Sequence, residues 1–501
     1  MSGLQAEVPR KSVQSEEHKK GQERGFLEGA ALLPFFPVCD RIWEERFGLG
    51  AEIGGMARTE SVSWEGERAM TYEEARAFIQ ETASYGYRLG LDCIREMLRR
   101  LGNPQDSLRF IHIAGTNGKG SVLAYISTVL AEAGYRVGRY SSPAIFSYEE
   151  RFQVNETNIS REDLARLTER IQRAGQEMVA DGLLHPTCFE VETVLAFLYF
   201  QEQQCDLVVL ETGMGGLTDA TNVVETTLVS VLTSISMDHM GFLGDTLGEI
   251  AAMKAGIIKP NTRVVSARQK PEAAEVIKAS CQKRGCTYRE ADPRQIRQVQ
   301  SGLKKQTFSY RQYEGLEISL AGVHQIGNAA LAVETVEALQ KLGYPVPEEA
   351  LRRGLKRTVW RGRFTVVSEE PLFILDGAHN RDAADRLRET LELYFPGRRL
   401  IYIIGVLADK EYEYMASVLA PLADRIFTVM TPDNPRALPA EELAGTVEKY
   451  NSRVEAVPDL RAAVKFAREA AGKEDVIVAF GSLSYLGALS QVLEAEQSAG
   501  C

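Results

Sequence analysis

The chain has 501 residues, 44% hydrophobic and 25% charged, a globular composition long enough for two or three domains. A formal net charge of -11 excludes broad electrostatic binding of nucleic acid and confines any phosphate site to a local pocket. The seven cysteines (39, 93, 188, 205, 281, 286 and 501) are odd in number and contain no C-x-x-C pair, so they indicate neither a disulfide framework nor a zinc site and fit a reducing cytoplasm.

In chain order, residues 1–69 carry mixed charge and little periodicity, and are read as a flexible, dispensable extension. Their one apolar patch, ALLPFFPV from Ala30, is broken by prolines and is neither a signal peptide nor an anchor, and no run elsewhere reaches membrane-spanning length. GLGAEIGG from Gly48 lacks the preceding strand that a dinucleotide fingerprint requires, so it is read as a loop. Patterned sequence begins at Met70. Strand-like segments follow at 110–114, 136–142, 206–211, 227–235 and 263–267, with helical spacers such as Ser121–Ala133, which stops at Gly134. A second series occupies 372–376, 400–406, 425–430 and 475–480. Such alternation predicts an α/β protein with mostly parallel sheets covered by helices. The two units are divided near 340–360, giving domains of 70–350 and 351–501.

The first turn is the strongest signal. In FIHIAGTNGKGS a strand ends in Gly115-Thr116-Asn117-Gly118-Lys119-Gly120-Ser121 and opens directly into a helix. The strict pattern G-x-x-x-x-G-K-[ST] would need glycine at Ile113 and a hydroxyl at Gly120. The chemistry nevertheless survives the altered spelling: backbone N–H groups and the positive end of the helix dipole aim at one point, glycines allow close approach of an anion, and Lys119 adds a mobile charge. The bland reading is a glycine turn with an exposed lysine.

Glu211 in LVVLETGMGG and His239 in SMDHMGFLGD stand at the carboxyl ends of apolar strands, as do Gly115 and Ser142. Ligands gather there in an open parallel sheet, so the set reads as a metal–nucleotide site in which Glu211 is a natural magnesium ligand and His239 a less usual one. Taken alone, His239 reads as a satisfied structural histidine. In DTLGEIAAMKAGIIKP a helix capped by Asp245 or Thr246 ends at Gly256, and Lys254 in its last turn reads by itself as a cation complementing the helix dipole. Later, HQIGNAALA begins a helix at His324, WRGRF supplies Arg361 and Arg363, and LFILDGAHN places Asp376, His379 and Asn380 at a strand end. Each alone reads equally as a cap or a surface group; together they suggest a second domain closing over the nucleotide.

These motifs, with YSSP, ETGMGGLTDATN, GVLADK and TPDNPRALPAEEL in the same order, resemble folylpolyglutamate synthase, a member of the Mur ligase superfamily that often doubles as dihydrofolate synthase. The resemblance spans about 70–495. It implies a two-domain architecture, a P-loop ATPase domain with a parallel sheet and a smaller Rossmann-like C-terminal domain. It implies ATP-dependent ligation of L-glutamate to the carboxylate of a reduced folate through an acyl phosphate, and leaves open whether dihydropteroate is also accepted. The implied cofactors are ATP and two magnesium ions. By the same resemblance Ser142, Glu211 and His239 are magnesium ligands, Lys254 is carbamylated to become a further metal ligand, and Lys119 acts in catalysis. Asn328 and Arg363 contact the nucleotide, Asp376 and His379 serve ATP or glutamate, and Ser482 holds glutamate. A monomer with no nucleic-acid or membrane partner is expected.

Three positions depart from the family pattern. Ala144, Leu217 and Met253 stand where many relatives have histidine, arginine and glutamate, which bears on the acyl substrate rather than on catalysis. Two other readings are weighed: a Mur-type ligase acting on a cell-wall nucleotide precursor, and a nucleotide-dependent switch. Motifs of the folate branch count against the first, and the lack of an Asn-Lys-x-Asp motif counts against the second.

Overall fold

The computed structural model describes residues 68–86, 88–238 and 240–499. The extension through residue 67, the GLGAEIGG segment and His239 therefore lie outside the described residues.

Eight strands form the first sheet: β1 (Phe110–Ala114), β2 (Val137–Tyr140), β3 (Phe152–Val154), β4 (Thr157–Asn158), β5 (Leu207–Glu211), β6 (Thr227–Leu232), β7 (Arg263–Ala267) and β8 (Thr287–Ala291). Their order is β4-β3-β2-β5-β1-β6-β7-β8, parallel from β2 to β8 with β3 and β4 antiparallel at one edge. The continuous apolar runs of β1 and β5 are explained by burial on both faces. Ile111, Ile113, Leu207 and Val209 join one core with the helices Lys119–Glu132 and His324–Gln340; Phe110, Val208 and Leu210 join another with the helices Arg161–Ala180 and Cys188–Glu202. The alternation is that of a pleated strand.

A hairpin sheet, β9 (Ile296–Gln300), β10 (Gln306–Tyr310) and β11 (Tyr313–Ile318), packs Phe308, Tyr310, Leu316 and Ile318 into the first of these cores. The remaining sheet consists of β12 (Thr365–Glu369), β13 (Leu372–Leu375), β14 (Leu400–Ile404), β15 (Arg425–Thr428), β16 (Val454–Ala456) and β17 (Val476–Phe480), ordered β12-β13-β17-β14-β15-β16. It is parallel apart from β12. Helix Glu348–Arg357 still belongs to the first unit, since Ala350, Leu351 and Leu355 lie in its core and Gly354 presses on the Val129 backbone. Phe364 already belongs to the second core.

Several strands end earlier than the apolar runs predict, and the released residues build the site. The run 227–235 leaves the ladder at Leu232: Thr233 O accepts Gln269 Nε2 at 2.8 Å, the Ile235 N–H donates to Gln269 Oε1 at 3.0 Å, and Ser234 O accepts the N–H groups of Thr116 and Asn117. The run 136–142 stops at Tyr140, and the Ser141 N–H donates to Arg151 O at 3.2 Å.

Candidate active site

The glycine loop is held rigidly before any ligand is considered. A Cβ at Gly115 would overlap the Thr233 hydroxyl; one at Gly118, whose φ is +89°, would lie 2.7 Å from Asn328 Oδ1; one at Gly120 would lie 2.7 Å from the Trp360 ring. The first and last of these glycines are required by close approach and the middle one also by its backbone conformation. Thr116 exchanges two hydrogen bonds of 3.1 Å with the backbone of Ser236, and the buried Ser121 hydroxyl accepts Gln325 Nε2 at 3.2 Å. Gln325 Oε1 in turn accepts Asn328 Nδ2 at 3.1 Å, which brings the second predicted nucleotide residue beside the loop. Trp360 and Gln325 carry no role in the sequence reading, although both stand inside quoted motifs, WRGRF and HQIGNAALA.

Lys119, at the first turn of helix Lys119–Glu132, curls back so that Nζ donates to Gly115 O and Thr116 O, both at 3.3 Å, and stands 3.9 Å from Glu211 Oε1. Glu211 is 5% exposed at the end of β5. Burial pushes its carboxyl up to about 7, against the opposing pull of Lys119, Arg363 and the Ser142 N–H, which donates to it. Lys254 is equally buried, its Nζ donating to Gly115 O at 2.9 Å. Burial, with Lys119 nearby, lowers its ammonium to about 7. Loop, Lys119, Glu211, Ser142 and Lys254 thus converge at the carboxyl edge of β1, β2 and β5. Thr246 caps the helix Leu247–Ala255 in a capping box with Glu249, which settles the choice between Asp245 and Thr246.

The second domain sends one charge into this cluster. Arg363 is half-buried, and desolvation lowers its guanidinium while Asp376 and Glu211 pull the other way. Its turn is fixed by Asp376, whose two oxygens accept the N–H groups of Phe364 and Ala378, each at 2.9 Å. Gly377 has no room for a Cβ because Arg363 Nη1 and Leu483 Cδ2 occupy that space. Asp376 therefore orients the arginine and spends both oxygens doing so. His379 donates from Nδ1 to Gly377 O at 2.7 Å, and burial lowers its pKa to about 4, so the ring is neutral. Ser482 is spent locally, capping the Leu483–Tyr485 turn and pairing with Ser484 Oγ at 2.7 Å.

Contacts between the domains supply what single motifs could not show. Asn117 of the loop exchanges two 3.2 Å hydrogen bonds with Asn380 and donates to Asp382 Oδ2 at 3.0 Å. Asn380 caps the helix Arg381–Tyr394 and donates to Asp238 Oδ2 at 3.3 Å, and Asp238 Oδ1 accepts Lys410 Nζ at 3.2 Å. Asp238 and Lys410 stand in the quoted SMDH and GVLADK motifs, so the signal was present without its pairing. The departures Leu217 and Met253 prove to be neighbours, the Leu217 N–H donating to Met253 O at 2.8 Å, and Leu217 is 45% exposed.

As a magnesium site the set fits in part. Among the described residues no group of three or more His, Cys, Asp or Glu is arranged to hold a metal. The buried carboxylate of Glu211 and the Ser142 hydroxyl are oxygen donors of the kind a hard cation takes, with phosphate oxygens and water completing the shell. Lys254 as an ammonium offers no lone pair, and joins the donors only once converted to an anion.

Comparison with known proteins decides the family. Residues 113–336 match the Mur ligase middle domain and residues 362–483 match the Mur ligase, glutamate ligase domain. The chain is 36% identical over 430 residues to the dihydrofolate synthase/folylpolyglutamate synthase of Bacillus subtilis, covering 84% of this chain and 99% of that protein. The chain belongs to the folylpolyglutamate synthase/dihydrofolate synthase family. Its fold matches Mycobacterium tuberculosis folylpolyglutamate synthase complexed with ADP, with a TM-score of 0.78 at 30% identity over 84% of this chain and 98% of that one. It also matches Escherichia coli FolC in complex with DHPP and ADP, with a TM-score of 0.75 at 28% identity over 84% and 98%. The predicted Mur ligase-like architecture of two α/β domains is thereby borne out. Among the described residues no helix is long and apolar enough to cross a membrane.

Proposed function

We propose that this family member ligates L-glutamate to the carboxylate of a reduced folate at the expense of ATP, as a cytoplasmic monomer. The observation that carries the reading is the convergence of Lys119, Glu211 and Lys254 on one phosphate-shaped loop, with Arg363 delivered from the other domain. Relatives named for both folylpolyglutamate and dihydrofolate synthesis, and neighbours with ADP or DHPP, support both the nucleotide and the acyl substrate.

A carboxylate is a poor acyl donor until one oxygen becomes part of a leaving group. The folate carboxylate oxygen attacks the γ-phosphorus of ATP, the bond from that phosphorus to the β-bridging oxygen breaks, and ADP departs, leaving an acyl phosphate. The glutamate amine then attacks the acyl carbon and loses a proton, the carbon–oxygen bond to phosphate breaks, and an amide and inorganic phosphate result. Loop N–H groups and Lys119 cradle the phosphates, Asn328, which lies against Gly118 of the loop, is assigned to the nucleotide, and Arg363 stabilises charge on the transferring phosphoryl group. Magnesium held by Ser142, Glu211 and His239 would neutralise phosphate charge during transfer.

Lys254 fits the role of a carbamylated lysine. Burial lowers its pKa to about 7, so a substantial fraction of the amine is neutral near neutral pH. Its nitrogen attacks carbon dioxide, one C=O π bond opens to an oxyanion, and the proton leaves to solvent. The carbamate so formed is an anionic oxygen donor for a second magnesium ion. Among the second-domain residues, His379 and Ser482 are assigned to the glutamate end of the reaction. Because Asp376 is occupied by its own backbone, its service to ATP runs through Arg363.

The test is magnesium-dependent ADP release with L-glutamate, offering tetrahydrofolate in one assay and dihydropteroate in another. Turnover with tetrahydrofolate supports the ligase reading, and turnover with both extends it to dihydrofolate synthesis. Silence with both substrates defeats it and turns attention to Ala144 and Leu217.

A further inference from the structure

Glu211 and Lys254 come from different elements, a strand end and a helix end, and must be held in register to serve one site. The segment after β5, residues 212–223, is pressed against the last turn of helix Leu247–Ala255. A Cβ at Gly216 would lie 2.8 Å from both Met253 O and Lys254 O, and one at Gly256 would overlap the Leu217 backbone. One main-chain hydrogen bond, from the Leu217 N–H to Met253 O at 2.8 Å, already ties the two elements. Asn222 adds two side-chain ties at the same seam. It is 5% exposed, and its Nδ2 donates to Leu217 O at 3.0 Å and to Gly256 O at 3.3 Å; its main-chain carbonyl accepts Lys259 Nζ at 2.9 Å, and its side-chain Oδ1 is buried with no hydrogen-bond partner among the described residues. Both partners of the amide nitrogen are carbonyl oxygens, which can only accept, so the orientation of the side chain is fixed by chemistry.

We propose that Asn222 is a positioning residue for Lys254, tying the loop after Glu211 to the end of the helix that carries the lysine, so that the Nζ is seated at Gly115 O for conversion to the carbamate. The proposal rests on the reading of Lys254 given above. The residue type is specific. Alanine frees both carbonyls, aspartate would turn a carboxylate toward two acceptors, and serine can satisfy at most one of them.

The experiment uses the full chain and the variants Asn222→Ala, Asn222→Ser and Lys254→Ala, each checked for folding by circular dichroism. Two readouts are taken: kcat as a function of added bicarbonate, and the carbamate carbon signal in 13C NMR after labelling with 13C-bicarbonate. A supporting range of effect comes from residues that orient metal ligands, whose loss costs about 10- to 100-fold. The expected result is a fall in kcat of that order for Asn222→Ala at low bicarbonate, a partial return at high bicarbonate, a weakened 13C signal and an unchanged KM for ATP, with Asn222→Ser intermediate. A merely structural role would lower the melting temperature without moving the bicarbonate dependence. Parental bicarbonate dependence and a full 13C signal in folded Asn222 variants would overturn the proposal alone. If Asn222→Ala does not fold, Asn222→Ser decides by the same two readouts. Parental turnover of Lys254→Ala, with no carbamate signal in the unaltered protein, would overturn the reading of the lysine and the proposal together.

Discussion

The carboxyl ends of the two parallel sheets put similar residues to opposite uses. At β1, β2 and β5 the side chains are left with capacity to spare: Glu211 is buried with its nearest cation 3.9 Å away, Lys119 folds back onto its own loop, and Lys254 has one backbone carbonyl as its hydrogen-bond acceptor. At β13 and β17 the polar groups already carry local hydrogen bonds, Asp376 with two N–H groups, His379 with Gly377 O through one ring nitrogen and Ser482 within its own turn. The first edge is built to meet a ligand; the second is built to aim Arg363 at it. Polar residues at a strand end are therefore informative only once their own backbone demands have been met.

The contrast can be broken from either side. Lys119→Ala removes a group whose local ties are two 3.3 Å bonds to its own loop and a 3.9 Å ion pair with Glu211, so activity should fall by about 1,000-fold or more with only a small change in melting temperature, measured by ADP release and calorimetry. A large loss of stability would mean that the lysine is structural. Arg363→Lys keeps the charge but loses the planar fork, and kcat/KM should fall by roughly 10- to 100-fold. Parental kinetics would remove the second domain's cation from the mechanism.

Two buried carboxylates should respond with opposite signs to the same amide substitution. Burial raises the Asp376 carboxyl as well, but its oxygens accept two N–H groups, and Asp376→Asn leaves one of them facing an NH2, a loss that should outweigh the relieved charge and destabilise by about 1–3 kcal/mol. Glu211→Gln removes a charge that burial disfavours. Between the ordinary carboxylate value of 4.5 and about 7, native Glu211 holds a proton that the unfolded chain has lost, so the ligand-free protein loses stability as pH rises through that window. The Glu211→Gln variant should thus exceed the parent by about 1–3 kcal/mol at pH 8 and match it at pH 4.5, while losing the stabilisation that the proposed magnesium–nucleotide site would give the parent. Denaturant melts at the two pH values check both signs, and a Glu211→Gln variant weaker than the parent at pH 8 would contradict the account of this edge. The smallest effect belongs to the interdomain pair: Lys410→Met should raise the KM for ATP by about 2- to 5-fold with kcat nearly kept, because a polar tie between domains shifts closure by about 0.5–1 kcal/mol. An unchanged KM would detach the Asp238–Lys410 pair from nucleotide binding.

The parts of this molecule that were legible in the sequence are those whose cause is local. The β1 run, the glycine turn and the helix from Lys119 follow from adjacent residues, and buried runs such as LVVLE report a parallel sheet. Strand ends differ where residues that continue an extended run serve the site instead of the ladder, as at Thr233–Ile235, whose main chain turns aside to hold the loop. The hairpin β9–β11 escaped because its strands mix polar and apolar positions and draw on a core formed by the helix His324–Gln340. Asn117 and Asn380 lie 263 positions apart, and no spacing in one chain announces such a pair. Lys254 shows the same limit most sharply: helix position alone gives the dipole reading, and burial beside Gly115 O, which changes its chemistry, is a tertiary fact.

The central claim is that a folate carboxylate is activated by phosphorylation at the first edge and then captured by glutamate. The most direct measurement is turnover of a folate labelled with 18O in the carboxylate, with mass analysis of the phosphate released. The account predicts one 18O atom in each inorganic phosphate, carried over when the acyl phosphate breaks. Phosphate free of label, with amide still formed, would contradict it.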